Sequence, residues 1–191
     1  MKNYSFLVNE THLLPSDYHP QKLVQAPFTA EKILVEEVLA KQLEALIYFI
    51  DGQNEIIVTS GYRDYFEQEK LYQDSIGENG LEFTQQFVAK PKASEHQTGL
   101  AVDLGLTGVE NDMIAPTFEK RLIVEKFLKE MVNFGFILRY PKEKTDKTKI
   151  AYEPWHFRYV GTPHSQIMQG KQWVLEEYHE FMSYWSGKYV Q

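Results

Sequence analysis

The sequence predicts an α+β fold: a single domain with a small central antiparallel sheet flanked by helices. Short apolar or β-branched runs at 55–60, 100–104, 136–140 and 150–160 each have Gly or Pro on at least one side, the punctuation expected of strands. Between them lie stretches whose apolar residues recur at helical spacing. No repeat, low-complexity tract or linker interrupts the 191 residues, a length that fits one domain (1–191) with its own core.

Residues 1–28 carry Pro15, Pro20 and Pro27 with few helix signals, and read as an extended arm packed on the domain. His12 and His19 in this arm read as surface residues. Thr29 is placed to cap a helix running to Phe49, with Ile33, Leu34, Val38, Leu39, Leu46 and Ile47 on its core face. The strand Glu55–Ser60 ends at Gly61. Asp64-Tyr65-Phe66-Glu67 then resembles a capping box opening a helix to about Ser75.

Residues 77–93 contain Gly77, Gly80 and Pro91, and are expected to form a loop that borders, or caps, a cleft. Beyond a polar loop at 106–116, a helix is expected from Thr117 to Phe134, with Leu122, Phe127, Leu128 and Met131 inward and Gly135 as its stop. Phe136–Tyr140 follows as a strand broken by Pro141. Lys142, Lys144, Lys147 and Lys149 punctuate a stretch that reads as a solvated loop, or as a patch steering an anionic substrate. Ile150–Val160 is the last expected strand. Thr162-Pro163 opens a carboxy-terminal helical region with Trp173, Leu175, Tyr178, Phe181 and Met182 on its packing side, and with His164 and His179 as ordinary helix residues.

The chemistry concentrates in Ser94-Glu95-His96-Gln97-Thr98-Gly99-Leu100-Ala101-Val102-Asp103 and Glu153-Pro154-Trp155-His156. His96 on a turn and Asp103 on a strand are good ligands for a divalent metal, and His156 supplies a third. Two imidazoles and one carboxylate leave a fourth tetrahedral position for water, as catalytic zinc sites do and closed structural sites do not. Glu153 is then the spare carboxylate beside the metal, suited to general acid–base work. Simple strand alternation places Glu153 and His156 on opposite faces, so a distortion at Pro154 is expected to turn both toward the metal.

The pattern Ser-x-His-x-x-Gly-x-Ala-x-Asp followed by Glu-x-x-His resembles the zinc D,D-peptidase family that includes VanX-type D,D-dipeptidases and VanY-type D,D-carboxypeptidases of glycopeptide resistance. Ser60-Gly61-Tyr62-Arg63 with Gln68 resembles the family's arginine motif, and Leu7-Val8-Asn9, Leu14-Pro15 and Leu23-Val24 its amino-terminal stretch. The runs at 137–141 and 152–161 are most similar to the bifunctional VanXY type. The resemblance implies Zn²⁺ as cofactor and Arg63 as the group stabilising the oxyanion. It implies Ser94 and Gln68 as substrate-binding residues, Ser94 otherwise ordering the turn. The substrates it implies are the D-Ala-D-Ala dipeptide and a precursor pentapeptide ending in D-Ala-D-Ala.

Composition agrees with this reading. With 43% hydrophobic and 25% charged residues the chain is neither disordered nor membrane-spanning. The absence of cysteine excludes disulfides and zinc–thiolate sites. A net charge of −7 argues against nucleic acid or an anionic membrane as partner. The first ten residues lack an apolar core followed by a small-residue cleavage site, so a cytoplasmic location is expected. The alternative is an exported or wall-active D,D- or L,D-carboxypeptidase without dipeptidase activity.

Overall fold

The computed structural model describes residues 3–112 and 114–188, so the first two residues of the expected arm lie outside the described residues. The arm runs largely extended into β1 (Leu23–Gln25), which pairs antiparallel with β2 (Leu34–Glu36). There follow α1 (Glu37–Phe49), β3 (Ile56–Ser60), α2 (Tyr65–Asn79) and α3 (Leu81–Phe87). A 3-10 turn (Glu95–Thr98) leads to β4 (Ala101–Leu106), α4 (Leu122–Glu130) and β5 (Phe136–Leu138). The chain continues through a short α5 (Thr145–Thr148), β6 (His156–Tyr159), α6 (His164–Lys171) and α7 (Leu175–Lys188). The main sheet has the order β3-β4-β6-β5 and is antiparallel throughout. This is the expected α+β class. No helix among the described residues is long and apolar enough to cross a membrane.

The two-residue side-chain period of a strand explains how core and site share the sheet. Val102, Leu104 and Leu106 of β4 and Phe157 and Tyr159 of β6 join the main core with Leu39, Leu43, Leu46 and Ile47 of α1 and Ile123, Val124 and Phe127 of α4. Phe157 meets Phe127 and Phe118 with ring centroids 4.8 and 5.5 Å away, edge to face. The alternate residues Asp103, His156 and Arg158 are thereby aimed at the opposite face. They are buried too, so that face must be furnished with polar partners. A second cluster, Leu7, Ile137, Val160, Met168, Leu175 and Tyr178, joins the arm to α6 and α7.

Several expected boundaries move. Residues 34–36 are strand, not helix, because Ala26 N donates to Ile33 O and the β-branched Val35 pairs with Val24 in the ladder to β1. The Thr29 hydroxyl accepts from Glu31 N within a turn instead of capping a helix. α4 starts at Leu122 rather than Thr117, since Lys120 holds a left-handed φ of 61° that no helix passes through. Phe118 takes the core position, and Leu122 is 68% exposed. The loop expected at 77–93 contains α3, separated from α2 by Gly80 and tied to it by the buried Ser75–Thr84 hydroxyl pair at 2.8 Å. The last strand is only 156–159, because Ala151 N and Glu153 N donate outside the sheet, to Gln86 O and Tyr140 O. The lysine stretch forms short helical turns, with Lys144 paired to Glu177 at 2.8 Å. On α7, Leu175 and Tyr178 are buried, whereas Phe181 and Met182 are exposed.

Candidate active site

In the register of β4 and β6, Asp103 is the direct cross-strand partner of His156. The sheet itself therefore brings together two residues fifty-three positions apart in the chain. His96 arrives from the 3-10 turn, which Gly99 closes at a left-handed φ of 69°. On the other side, β3 ends at Gly61, where a Cβ would lie 2.5 Å from Leu34 O. Glycine there lets two backbones approach closely and places the Gly61 carbonyl 2.6 Å from His96 Nδ1. A carbonyl only accepts, so Nδ1 carries the proton and Nε2 is the free ligand atom. That Nε2 lies 3.3 Å from Asp103 Oδ2.

His96, Asp103 and His156 each offer an atom to a common centre, all within 4.8 Å of one another, and all three are buried. Zinc–nitrogen bonds of roughly 2.0–2.1 Å in a tetrahedron require ligand atoms about 3.3–3.4 Å apart. The His96–Asp103 spacing matches this. Asp103 Oδ1, buried and 3.0 Å from His156 Nδ1, has no hydrogen-bond partner among the described residues, and an orphaned buried carboxylate oxygen is costly unless a cation takes it. The donor set fits zinc.

The electrostatics point the same way. Burial, helped by the nearby Arg63, pushes His96 down to about 4, so its imidazole is neutral and ready to ligate at neutral pH. Burial opposes ionisation of Asp103, but the two histidines outweigh it and hold the carboxyl below its usual range. His156 is pulled down by burial and lifted further by Asp103 and Glu95, to about 9. At neutral pH it carries a proton that a bound cation would displace.

Glu153 lies in the turn before β6, where His156 N donates to Glu153 O at 3.4 Å. The turn, with Pro154 in it, removes the alternation problem: Glu153 Oε2 lies 3.7 Å from His156 Nδ1. Burial, reinforced by Asp103, pushes Glu153 up to about 8. A cation beside it would lower that value and favour the carboxylate. Arg63 follows β3 at the start of α2, whose capping box pairs Asp64 and Glu67 in both directions at 2.8 Å. Its guanidinium is fixed by Nε to Gln68 Oε1 at 2.9 Å and Nη1 to Ser60 Oγ at 2.7 Å.

Arg63, Ser94, His96, Asp103, Glu153 and His156 line one pocket with Tyr140 and apolar walls that include Phe87, Val88 and Trp155. The Ser94 side chain does not cap the turn, and its hydroxyl has no hydrogen-bond partner among the described residues. Gln68 sits elsewhere. Buried behind Arg63, it accepts from that guanidinium and donates to Ala89 O at 2.7 Å, so the structure gives it Arg63 as partner and not the pocket.

Sequence reasoning missed an ionic network beneath the cluster. Glu95, fully buried, accepts from Arg139 Nε at 2.8 Å and lies 2.9 Å from Arg158 Nη1. Its other oxygen faces His156 Nε2 at 3.6 Å, beyond hydrogen-bond length, and neither atom has a hydrogen-bond partner among the described residues. Burial alone would raise the Glu95 carboxyl, but Arg139 and Arg158 hold it well below the usual range. Arg139 is also gripped by both oxygens of Glu176 on α7, at 2.6 and 2.9 Å. The available signal was two arginines inside otherwise apolar strands, Phe136–Tyr140 and His156–Val160.

A buried His-Asp-His cluster with a carboxylate and a clamped guanidinium on its rim defines a metallopeptidase type of centre. Comparison with known proteins agrees. The family model for D-alanyl-D-alanine carboxypeptidase (VanY) matches residues 32–162. The chain is 46% identical over 178 residues to the bifunctional D-Ala-D-Ala dipeptidase and D-Ala-D-Ala carboxypeptidase VanXYC of Enterococcus gallinarum, covering 93% of this chain and 94% of that one. Among solved structures, the vancomycin-resistance D,D-dipeptidase VanXYg with a D-Ala-D-Ala phosphinate analogue superposes with a TM-score of 0.89 at 41% identity, over 94% of this chain and 71% of that one. The LD-carboxypeptidase LdcB does so with a TM-score of 0.80 at 34% identity, over 91% and 84%. The chain belongs to the D-alanyl-D-alanine carboxypeptidase (VanY) family, as a zinc D,D-peptidase of the VanXY type.

Proposed function

We propose that this protein hydrolyses the D-Ala-D-Ala dipeptide and removes the terminal D-Ala from peptidoglycan-precursor pentapeptides, and so confers glycopeptide resistance. The convergence of His96, Asp103, His156, Glu153 and Arg63 on one pocket carries the reading, and near full-length similarity to a bifunctional enzyme supports its substrate. Zinc, held by His96, Asp103 and His156, would supply Lewis-acid polarisation of the scissile carbonyl and a water acidic enough to ionise near neutral pH. Glu153 accepts the proton of the attacking water and returns it to the departing D-alanine amine. Arg63, its charge fixed by Ser60 and Gln68, faces the oxygen on which negative charge develops. Ser94 offers its free hydroxyl to the substrate, and Gln68 serves the substrate through Arg63.

The cytoplasm is the compartment that fits destruction of the dipeptide before it enters a wall precursor. A wall-active carboxypeptidase is the second reading, favoured by the likeness to LdcB. D-alanine release by the zinc-loaded protein separates the two, measured from the dipeptide and from a pentapeptide ending in D-Ala-D-Ala, with Glu153→Ala as control. Release from both, lost in the control, is expected; release from the pentapeptide alone would establish the second reading, and release from neither would refute both.

A further inference from the structure

The metal pocket is small, about 40 Å³. A pentapeptide substrate has three residues before its terminal pair, an extended length of roughly 10 Å, and these need a place beyond the pocket. A cavity of about 520 Å³ adjoins it, sharing Val88, Ala89, Tyr140 and Ile150 as common wall. That volume is within the range of small-ligand sites, roughly 300–1,000 Å³. The arm forms one side of the cavity and α7 another, with His12 and His179 meeting edge to face at 4.8 Å.

Its charges are unequally satisfied. Lys90 is paired with Glu10 at 3.0 Å, and Arg139 with Glu176. Lys147 and Lys149 also line the cavity and have no ion pair among the described residues, while Glu180 is the lining acid left unpaired. The other two lysines of the stretch play no such part: Lys144 is tied to Glu177, and Lys142 is not on the wall. In a chain of net charge −7, two unpaired cations beside a catalytic pocket select for an anionic ligand.

We infer that this cavity receives the amino-terminal part of an acidic peptide ending in D-Ala-D-Ala, with Lys147 and Lys149 facing its anionic groups. The inference rests on the hydrolase reading above and adds to it where the longer substrate lies. The dipeptide, which ends at the metal pocket, makes no use of the cavity, so the two substrates should respond differently to changes there.

The experiment is steady-state D-alanine release by the zinc-loaded full chain from three substrates: the dipeptide, an acidic pentapeptide ending in D-Ala-D-Ala, and the same pentapeptide with its internal carboxylates amidated. Exposed charge pairs contribute about 0.2–1 kcal/mol each, so the double variant Lys147→Ala, Lys149→Ala should raise KM for the acidic pentapeptide roughly two- to thirtyfold relative to the dipeptide. The rise should shrink for the amidated peptide and at high salt, and Lys142→Ala should produce none. Equal changes for dipeptide and pentapeptide, or none for the acidic pentapeptide, would overturn the inference and leave the hydrolase reading standing. Wild-type cleavage of the dipeptide alone would overturn the inference and the carboxypeptidase half of the hydrolase reading, whereas cleavage of no substrate would overturn both entirely.

Discussion

Replacing Glu95 by glutamine keeps the shape of a buried side chain and deletes the charge on which two arginines and His156, a proposed metal ligand, converge. Breaking a buried ion pair from one side typically costs about 3–5 kcal/mol. The lower end applies here, because Arg139 keeps the bidentate Glu176 and Arg158 keeps the carbonyls of Tyr4, Phe6 and Tyr159. For a chain of 191 residues, about 3 kcal/mol corresponds to a fall in Tm of roughly 6–12 °C. Glu95 also faces His156 Nε2, with both atoms otherwise unpartnered, and loss of such an outer partner weakens metal binding roughly 10- to 100-fold. Chelator competition would read this at pH 9, where proton competition at His156 is least, alongside thermal unfolding. Glu176→Gln, which leaves Glu95 in place, should lower Tm and leave zinc affinity unchanged. A Glu95→Gln protein that is folded, destabilised and unaltered in zinc affinity would refute an orienting role for Glu95.

Glu153→Gln should retain zinc within a fewfold of wild type while turnover falls by about 10²–10⁴; full activity in the zinc-loaded variant would remove Glu153 from the chemistry. Because burial is outweighed by Asp103 and Glu95, His156 stands near 9, is protonated at pH 7 and must lose that proton to ligate. Calorimetry in buffers of different ionisation enthalpy should find about one proton or more released per zinc at pH 7, with affinity rising toward pH 9, and pH-independent uptake between pH 6 and 8 would contradict this. Gln68→Ala removes one of the two anchors of the Arg63 guanidinium, leaving Ser60, and frees the Ala89 carbonyl, so kcat should fall by up to about a hundredfold with zinc affinity intact. Loss confined to KM would instead make Gln68 a substrate-binding group.

The cluster was legible in the sequence because its residues are chemically unusual in their setting: histidine, aspartate and glutamate beside glycine and short apolar runs. The sheet was legible because Gly61, Gly99, Gly135 and Pro141 punctuate it. Strand lengths and helix starts were less so. The residues at 33–36 fit a helical period as well as a strand, and only pairing with β1 decides between them. The left-handed turn at Lys120 carries none of the Gly or Asn signal that usually marks one. Glu95 lies inside the motif, yet its role depends on Arg139 and Arg158, forty-four and sixty-three residues away. Propensity does not report that pairing.

Alternation in β4 and β6 makes core and site two faces of one register. Val102, Leu104 and Phe157 enter the main core, which obliges Asp103 and His156 to lie together on the other face. A one-residue slip would exchange ligands for core side chains, so assembling the metal cluster and packing the core are one event. The polar face is stable only if its buried charges are matched, and among the described residues Asp103 Oδ1, Glu95 Oε2, His156 Nε2 and Arg158 Nη1 have no hydrogen-bond partner. A cation at the cluster satisfies Asp103 directly. A cation held there would displace one proton of His156, whose Nε2 faces Glu95. Zinc binding therefore stabilises the native sheet by mass action as well as equipping it for catalysis, and the network that buries Glu95 ties α7 to the same event through Arg139 and Glu176.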